Sequence, residues 1–185
     1  MPNVQHSVLT DPELHESKGV ASATNHQVYV ANGAGSGNWD RLPDGAIYFN
    51  NIGSPYTLTY PASYTKIAAT TTASGLATDV TEATTSRLTY TGAATRNCEV
   101  AAVLSVSQSI GANRDLRFCF AKNGTTLTNS AIILTTVSGE KMSAKLYWQL
   151  SLATNDYIEV FAQNDGASGD ISVYTMQLFM NGHAR

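Results

Sequence analysis

Ser143-Ala144-Lys145-Leu146-Tyr147-Trp148-Gln149-Leu150-Ser151-Leu152 alternates polar and apolar side chains with few exceptions. A period of two marks a β-strand with one buried face, because successive side chains leave opposite sides of a sheet. Leu146, Trp148, Leu150 and Leu152 form the buried row. Working outward, Val100, Ala102, Leu104 and Val106 make a second row within Glu99–Ser107, and Leu116, Phe118 and Phe120 a third within Leu116–Lys122. Further strands are predicted at Ala46–Phe49, Tyr56–Tyr60, Lys66–Thr71, Arg87–Thr91, Ala131–Val137, Tyr157–Gln163 and Ile171–Met180. The low-complexity stretch from Thr70 to Thr85 reads as loops with one weak strand near Leu76. Turn residues, among them Asn123-Gly124 and Asp165-Gly166, separate the strands, and no run of ten or more residues here has helical period. Short strands punctuated in this way predict an all-β sandwich or barrel.

The region before this sheet is different. Residues 1–45 are polar and interrupted by Gly and Pro, with Pro43-Asp44-Gly45 marking the boundary to a main domain over 46–185. Thr10-Asp11-Pro12-Glu13 has the signature of a helix start, with Thr10 as cap and Glu13 three residues on. Gly19 would end that helix after barely two turns. Gln27-Val28-Tyr29-Val30 and the segment from Trp39 to Leu42 flank a Gly-rich link, predicting a small hairpin or a strand and loop with Tyr29 and Trp39 as its apolar contacts. So little apolar surface cannot offset the entropy of ordering the segment. The arm is expected to gain its order from a neighbouring molecule.

Charged residues make up 14% of the chain, against roughly 25% in ordinary soluble domains, while hydrophobic residues stand at 43%. The difference goes into Thr, Ser and Asn, a composition suited to a sheet whose outer face is wet or meets another protein. With a net charge of −3 and scattered Lys and Arg, the clustered cations that a nucleic-acid backbone requires are missing. No stretch approaches the roughly 20 apolar residues of a membrane span, and Met1 to Thr10 has neither the basic nor the apolar region of a signal peptide. Synthesis in a cytoplasm, with no nucleic-acid or membrane partner, is the expectation. There Cys98 and Cys119 are expected as buried or half-buried thiols.

Several strands carry apolar residues on the face opposite their buried row. Tyr147 lies opposite the Trp148 row, and Phe161 opposite Ile158 and Val160. The last strand places Tyr174, Met176, Leu178 and Met180 on one side and Ile171, Val173 and Phe179 on the other. A strand apolar on both faces has one face in its own core and the other against something else, and closed symmetric oligomers commonly cover such a face. Tyr147, Phe161, Tyr174, Met176, Leu178 and Met180 are therefore expected at a homo-oligomer interface.

Arg87-Leu88-Thr89-Tyr90-Thr91-Gly92, Phe120-Ala121-Lys122-Asn123-Gly124, the LATNDYIEV run from Leu152 to Val160 and the closing strand Ile171 to Met180 resemble the TNF/C1q-like jelly roll of many bacteriophage fibre and head-surface proteins. Asn155-Asp156 stands where that pattern has Gly-Asp. The arm, Leu14-His15-Glu16-Ser17-Lys18-Gly19-Val20 with Val28-Tyr29-Val30-Ala31-Asn32-Gly33-Ala34-Gly35-Ser36-Gly37, resembles N-terminal segments of phage virion proteins. The resemblance implies a jelly-roll β-sandwich that trimerises and faces outward, with the arm docked on the virion. Leu14, Val20, Val28, Tyr29, Val30 and Trp39 would anchor that arm to the major capsid protein or another virion protein, with Lys18 and Arg41 as rim charges.

Catalytic patterns are weak. Gly33-x-Gly35-x-Gly37 is followed by Pro43 rather than a helix, so it reads as a turn and not a phosphate loop. His6, His15, His26 and His183 have no metal-ligand spacing. Asp156 and Glu159 do not form a facing carboxylate pair. No enzyme, cofactor or metal is expected. The leading reading is a structural virion protein, a trimeric head decoration (cement) or short head-fibre protein. The alternative is a tail-associated receptor-binding module for host-surface glycan, using Tyr56, Tyr60 and Tyr64 or the loops around Asn113 and Asp165.

Overall fold

The computed structural model describes residues 23–24, 27–31, 37–59, 61–109, 113–165 and 169–183. The chain divides into two compact units between Leu42 and Pro43, three residues before the expected boundary, because Asp44 and Gly45 already belong to the first strand of the second unit.

In the first unit, β1 (Gln27–Ala31) and β2 (Gly37–Arg41) form an antiparallel hairpin. Tyr29 sits directly across from Trp39, and their rings meet edge-on with centroids 5.4 Å apart. Such an aromatic cross-strand pair is the main stabilising contact available to a two-stranded ribbon. The predicted helix after Thr10 lies outside the described residues, as do Leu14, Lys18 and Val20.

The second unit is a sandwich of two antiparallel sheets. One sheet holds β3 (Asp44–Asn50), β4 (Tyr56–Leu58), β6 (Thr72–Ala73), β9 (Arg96–Gln108), β13 (Met142–Leu152) and β15 (Ile171–Gly182) in the order β13-β9-β15-β3-β6, with β4 also on β15. The other holds β5 (Thr65–Lys66), β7 (Val80–Ala83), β8 (Arg87–Tyr90), β10 (Arg114–Lys122), β11 (Thr125–Thr126), β12 (Ile132–Thr136) and β14 (Tyr157–Asn164), running β11-β10-β14-β8-β7 with β12 beside β10 and β5 beside β14. From β12 to β15 the chain alternates between sheets, and β15 inserts between β9 and β3. That winding is jelly-roll topology. Most strand positions follow the sequence pattern; the exceptions are the strand expected at Lys66–Thr71, of which only Lys66 is in a strand, and the Thr70–Thr85 stretch. There the strands are β6 and β7, while Leu76 lies between them and is 79% exposed.

The core forms where the two inner faces meet. Val100, Ala102, Leu104, Val106 and Leu146 from one sheet, and Leu116, Phe118, Phe120, Ile158 and Val160 from the other, are all fully or almost fully buried. Burying each larger side chain is worth about 1.5–3 kcal/mol.

The Asn123-Gly124 turn and the bend at Asn155-Asp156 lock onto each other. Asn123 (φ +53°) and Gly124 (φ +76°) make the left-handed two-residue turn that the twist of a hairpin favours. Asn155 adopts φ +70°, a conformation Asn tolerates better than most residues, so it can stand where the family pattern has Gly. Asn123 Nδ2 donates to Asp156 Oδ1 at 2.6 Å, Lys122 Nζ lies 2.7 Å from Asp156 Oδ2, and the Tyr157 amide donates to Asn123 Oδ1. At the next bend Gly92 lies flat against the Tyr90 ring, where any Cβ would collide.

Cys98 and Cys119 are free and buried. They occupy different sheets, and burial pushes each thiol up to about 11. Thiolate is the reactive form, so the native protein at pH 8 should be inert to Ellman's reagent and titrate two thiols after denaturation. Labelling of the folded protein would contradict that burial.

Candidate functional site

Alternation along β9, β13, β15 and β3 leaves one sheet face turned outward. Across it the strand register builds two adjacent rows: Tyr147–Ala101–Phe179–Ala46 and Lys145–Val103–Gln177–Tyr48. Tyr147 is 52% exposed, Tyr48 45% and Val103 37%, while Phe179, Ala101 and Ala46 are half-buried. Polar rows bracket this stripe, Gln149–Glu99–Asn181–Asp44 on one side and Ser143–Ser105–Thr175–Asn50 on the other. A mainly apolar centre, interrupted by the exposed Lys145 and Gln177, inside a polar rim has the anatomy of a protein–protein contact.

At one corner, charge and hydrogen bonding fix the rim. A hydrogen bond to the Glu99 carboxylate, followed by burial, raises the Tyr147 phenol above its usual range. Gln149 Nε2 donates to the Tyr147 hydroxyl at 3.0 Å, and His183 Nε2 lies 3.4 Å from Glu99 Oε2.

Beside the face lies an edge. β13 ends its sheet, and Trp148 and Leu150 pack against the core from it yet remain half-buried. A shallow depression of about 350 Å³ opens at Tyr147, Trp148 and Gln149. One chain thus presents an apolar face and, next to it, an apolar edge.

The expected interface residues separate into four groups. Tyr147 lies on the outward face. Phe161 is half-buried on the outer side of the other sheet, paired with Cys119 and Lys66. Met176, Leu178 and Met180 are 0% exposed within the single chain, so assigning them to an oligomer interface is wrong. A β-bulge explains the error. The β15–β9 register shifts between Val173 and Thr175, leaving Tyr174 as the extra residue, and the inward parity changes there. Ile171 and Val173 face the core before the bulge, and Met176, Leu178 and Met180 after it. Phe179 apart, which does face outward, what reads as two apolar faces is one face interrupted by a bulge. Tyr174 itself is half-buried, with its hydroxyl 3.1 Å from Ser107 Oγ and Lys141 Nζ 4.3 Å over its ring.

Ala101, Val103 and Tyr48 were not among the residues expected at an interface. The signal for Ala101 and Val103 is the run Val100 to Leu104, which lacks the polar alternation of β13 at positions 101 and 103.

Other polar groups serve the fold. The buried Glu159 carboxylate accepts from Lys66 Nζ at 2.6 Å and from Arg87 Nε at 2.9 Å, and the Arg87 guanidinium stacks 3.8 Å over Tyr157. Two cations on one carboxylate offset its desolvation. Glu82 clasps β3 to the β6 turn, accepting from the amides of Ala46 and Gly75 and from Ser74 Oγ. Burial works against its charge, but those bonds outweigh it and hold the carboxyl below its ordinary 4.5.

The chain matches no protein-family model and no curated protein sequence. Solved structures do resemble it. The Eiger TNF of S. frugiperda aligns with a TM-score of 0.51 at 14% identity, over 77% of this chain and 94% of that one. The PRD1 vertex protein P5 aligns at 0.48 with 10% identity, over 77% and 97%. Murine APRIL aligns at 0.44 with 14% identity, over 75% and 98%. The fold is a TNF-like jelly roll. At such identities the likeness concerns architecture, and function has to be argued from the surfaces of this chain.

Proposed function

We propose that the protein is a non-enzymatic structural component of a phage virion surface, a homotrimeric head decoration or short head-fibre protein attached through its N-terminal unit. The observation that carries self-association is the adjacent apolar face and edge on one chain. A face that pairs with itself gives a two-fold dimer, whereas an edge that fits a face gives a head-to-tail contact that closes into a ring. Trp148 and Leu150 of one subunit would pack on Ala101, Val103, Phe179 and Tyr48 of the next. A ring of three is the smallest that such a contact closes, and it matches the expectation from the family resemblance.

Attachment is assigned to the first unit, where Val28, Tyr29, Val30, Trp39 and Arg41 lie on the hairpin. Three such units on one trimer turn weak docking into strong retention, because the second and third contacts form at high effective concentration. By light scattering, the full chain should have three times its chain mass of 19.7 kDa. Deleting residues 1–42 removes one compact unit and leaves the sandwich core whole, so the truncated protein should remain trimeric. It should then fail to co-sediment with virions stripped of the protein, while the full chain rebinds. Rebinding by the truncated form would place the anchor elsewhere.

A further inference from the structure

Away from the apolar face, at one end of the other sheet, two loops remote in sequence meet. Asn113, Arg114, Asp115, Thr135 and Asp165 line an open cleft of about 260 Å³. Drug-sized pockets hold roughly 300–1,000 Å³, so this cleft suits one small ring rather than an extended ligand.

Its chemistry is mixed by construction. Thr135 Oγ1 donates to Asp115 Oδ1 at 2.6 Å, and Arg117 Nη2 donates to Asp165 Oδ2 at 2.6 Å. The Asp165 amide donates to the Asp115 carbonyl at 3.0 Å, which ties the two loops together. Each carboxylate keeps a second oxygen able to accept. Among the described residues, the Nε atoms of Arg114 and Arg117 are buried and have no hydrogen-bond partner. Those two atoms are closed to a ligand in the cleft, and the donor within reach is the half-exposed outer part of the Arg117 guanidinium. The exposed Asn113 amide adds a group that both donates and accepts.

Charge then selects the ligand. Arg114 in the lining, and Arg117 paired to Asp165 from beside it, balance the two carboxylates, so the site is neutral overall. An anion would meet two carboxylates and a cation two guanidiniums. A neutral ligand whose groups each donate and accept satisfies both sets at once, and neighbouring hydroxyls of a sugar do this. Ile133, 58% exposed, shares a strand face with Thr135 two residues away and offers apolar surface for the C–H side of a ring. Tyr64 lies within electrostatic range of Arg117 and Asp165.

We infer that the cleft between the start of β10, the end of β12 and Asp165 just after β14 is a binding site for one ring of a neutral saccharide. The site uses no residue of the proposed self-association face, so it stands or falls apart from the trimer. With a few hydrogen bonds and an open cleft, affinity per site is expected to be weak, and several copies on one particle would raise it.

The test is binding of the full chain to an array carrying neutral glycans beside sialylated and phosphorylated ones, in parallel with Asn113→Ala and Asp165→Asn. Both positions are exposed, and the Arg117–Asp165 pair is half in solvent, so both variants should keep the wild-type circular dichroism spectrum. Expected is binding to one or more neutral glycans that falls at least tenfold in each variant. No neutral ligand, binding to acidic glycans alone, or neutral binding unchanged in the two folded variants would each overturn the assignment.

Discussion

Val103→Asp should convert the protein from trimer to monomer without unfolding it. In the isolated chain Val103 is 37% exposed and stands directly across from Lys145 on β13 and Gln177 on β15. A carboxylate there stays in water and can pair with Lys145, so the monomer should change by less than about 1 kcal/mol. In the proposed ring the same carboxylate would lie beneath the neighbouring edge at all three interfaces. Removing an ion from water costs several kcal/mol, and even about 3 kcal/mol per interface weakens each contact more than a hundredfold. Light scattering should then give the monomer mass at micromolar concentration. Leu76→Asp is the control, since Leu76 is a loop residue far more exposed than Val103, and it should stay trimeric. A trimeric V103D protein would show that this face is not the contact.

Deleting Tyr174 should cost far more stability than truncating it. Tyr174→Ala removes a hydroxyl contact to Ser107 and the Lys141 stacking, together worth about 1–2 kcal/mol. Deletion removes the bulge itself. With period-two alternation, losing one residue moves one half of β15 to the wrong face. The smaller loss turns out Ile171 and Val173, both 0% exposed, at roughly 3–6 kcal/mol for the pair. Against a typical total of about 5–15 kcal/mol, that brings the domain close to unfolding. Urea midpoints at fixed protein concentration should separate the two variants clearly. A deletion no more harmful than Y174A would mean that the bulge does not set the register.

That bulge also marks the limit of what the chain reveals before it folds. In β13 the alternation breaks only at Tyr147, and both the strand and its inward row are legible residue by residue. In β15 the pattern changes phase at Tyr174, and the chain then looks apolar on both sides. Nothing local distinguishes one face interrupted by a bulge from two faces, because the interruption exists only relative to β9. The association face was half visible. Tyr147 stood out as an aromatic at a polar position, whereas Ala101 and Val103 were hidden by their resemblance to the buried run around them. The polar cleft was visible only as two separate loops, around Asn113 and Asp165, about fifty residues apart.

The chain by itself determined the all-β class, most strand positions, the buried rows of β9, β10 and β13, and the Asn123-Gly124 turn. These follow from side-chain alternation and from φ preferences, both properties of neighbouring residues. Which strands share a sheet, that β15 lies between β9 and β3, that Met176, Leu178 and Met180 face inward, and that an apolar face adjoins an apolar edge were decided by the tertiary structure. Strand pairing is a contact between distant segments, and the side on which a residue emerges depends on the register it makes with a partner strand.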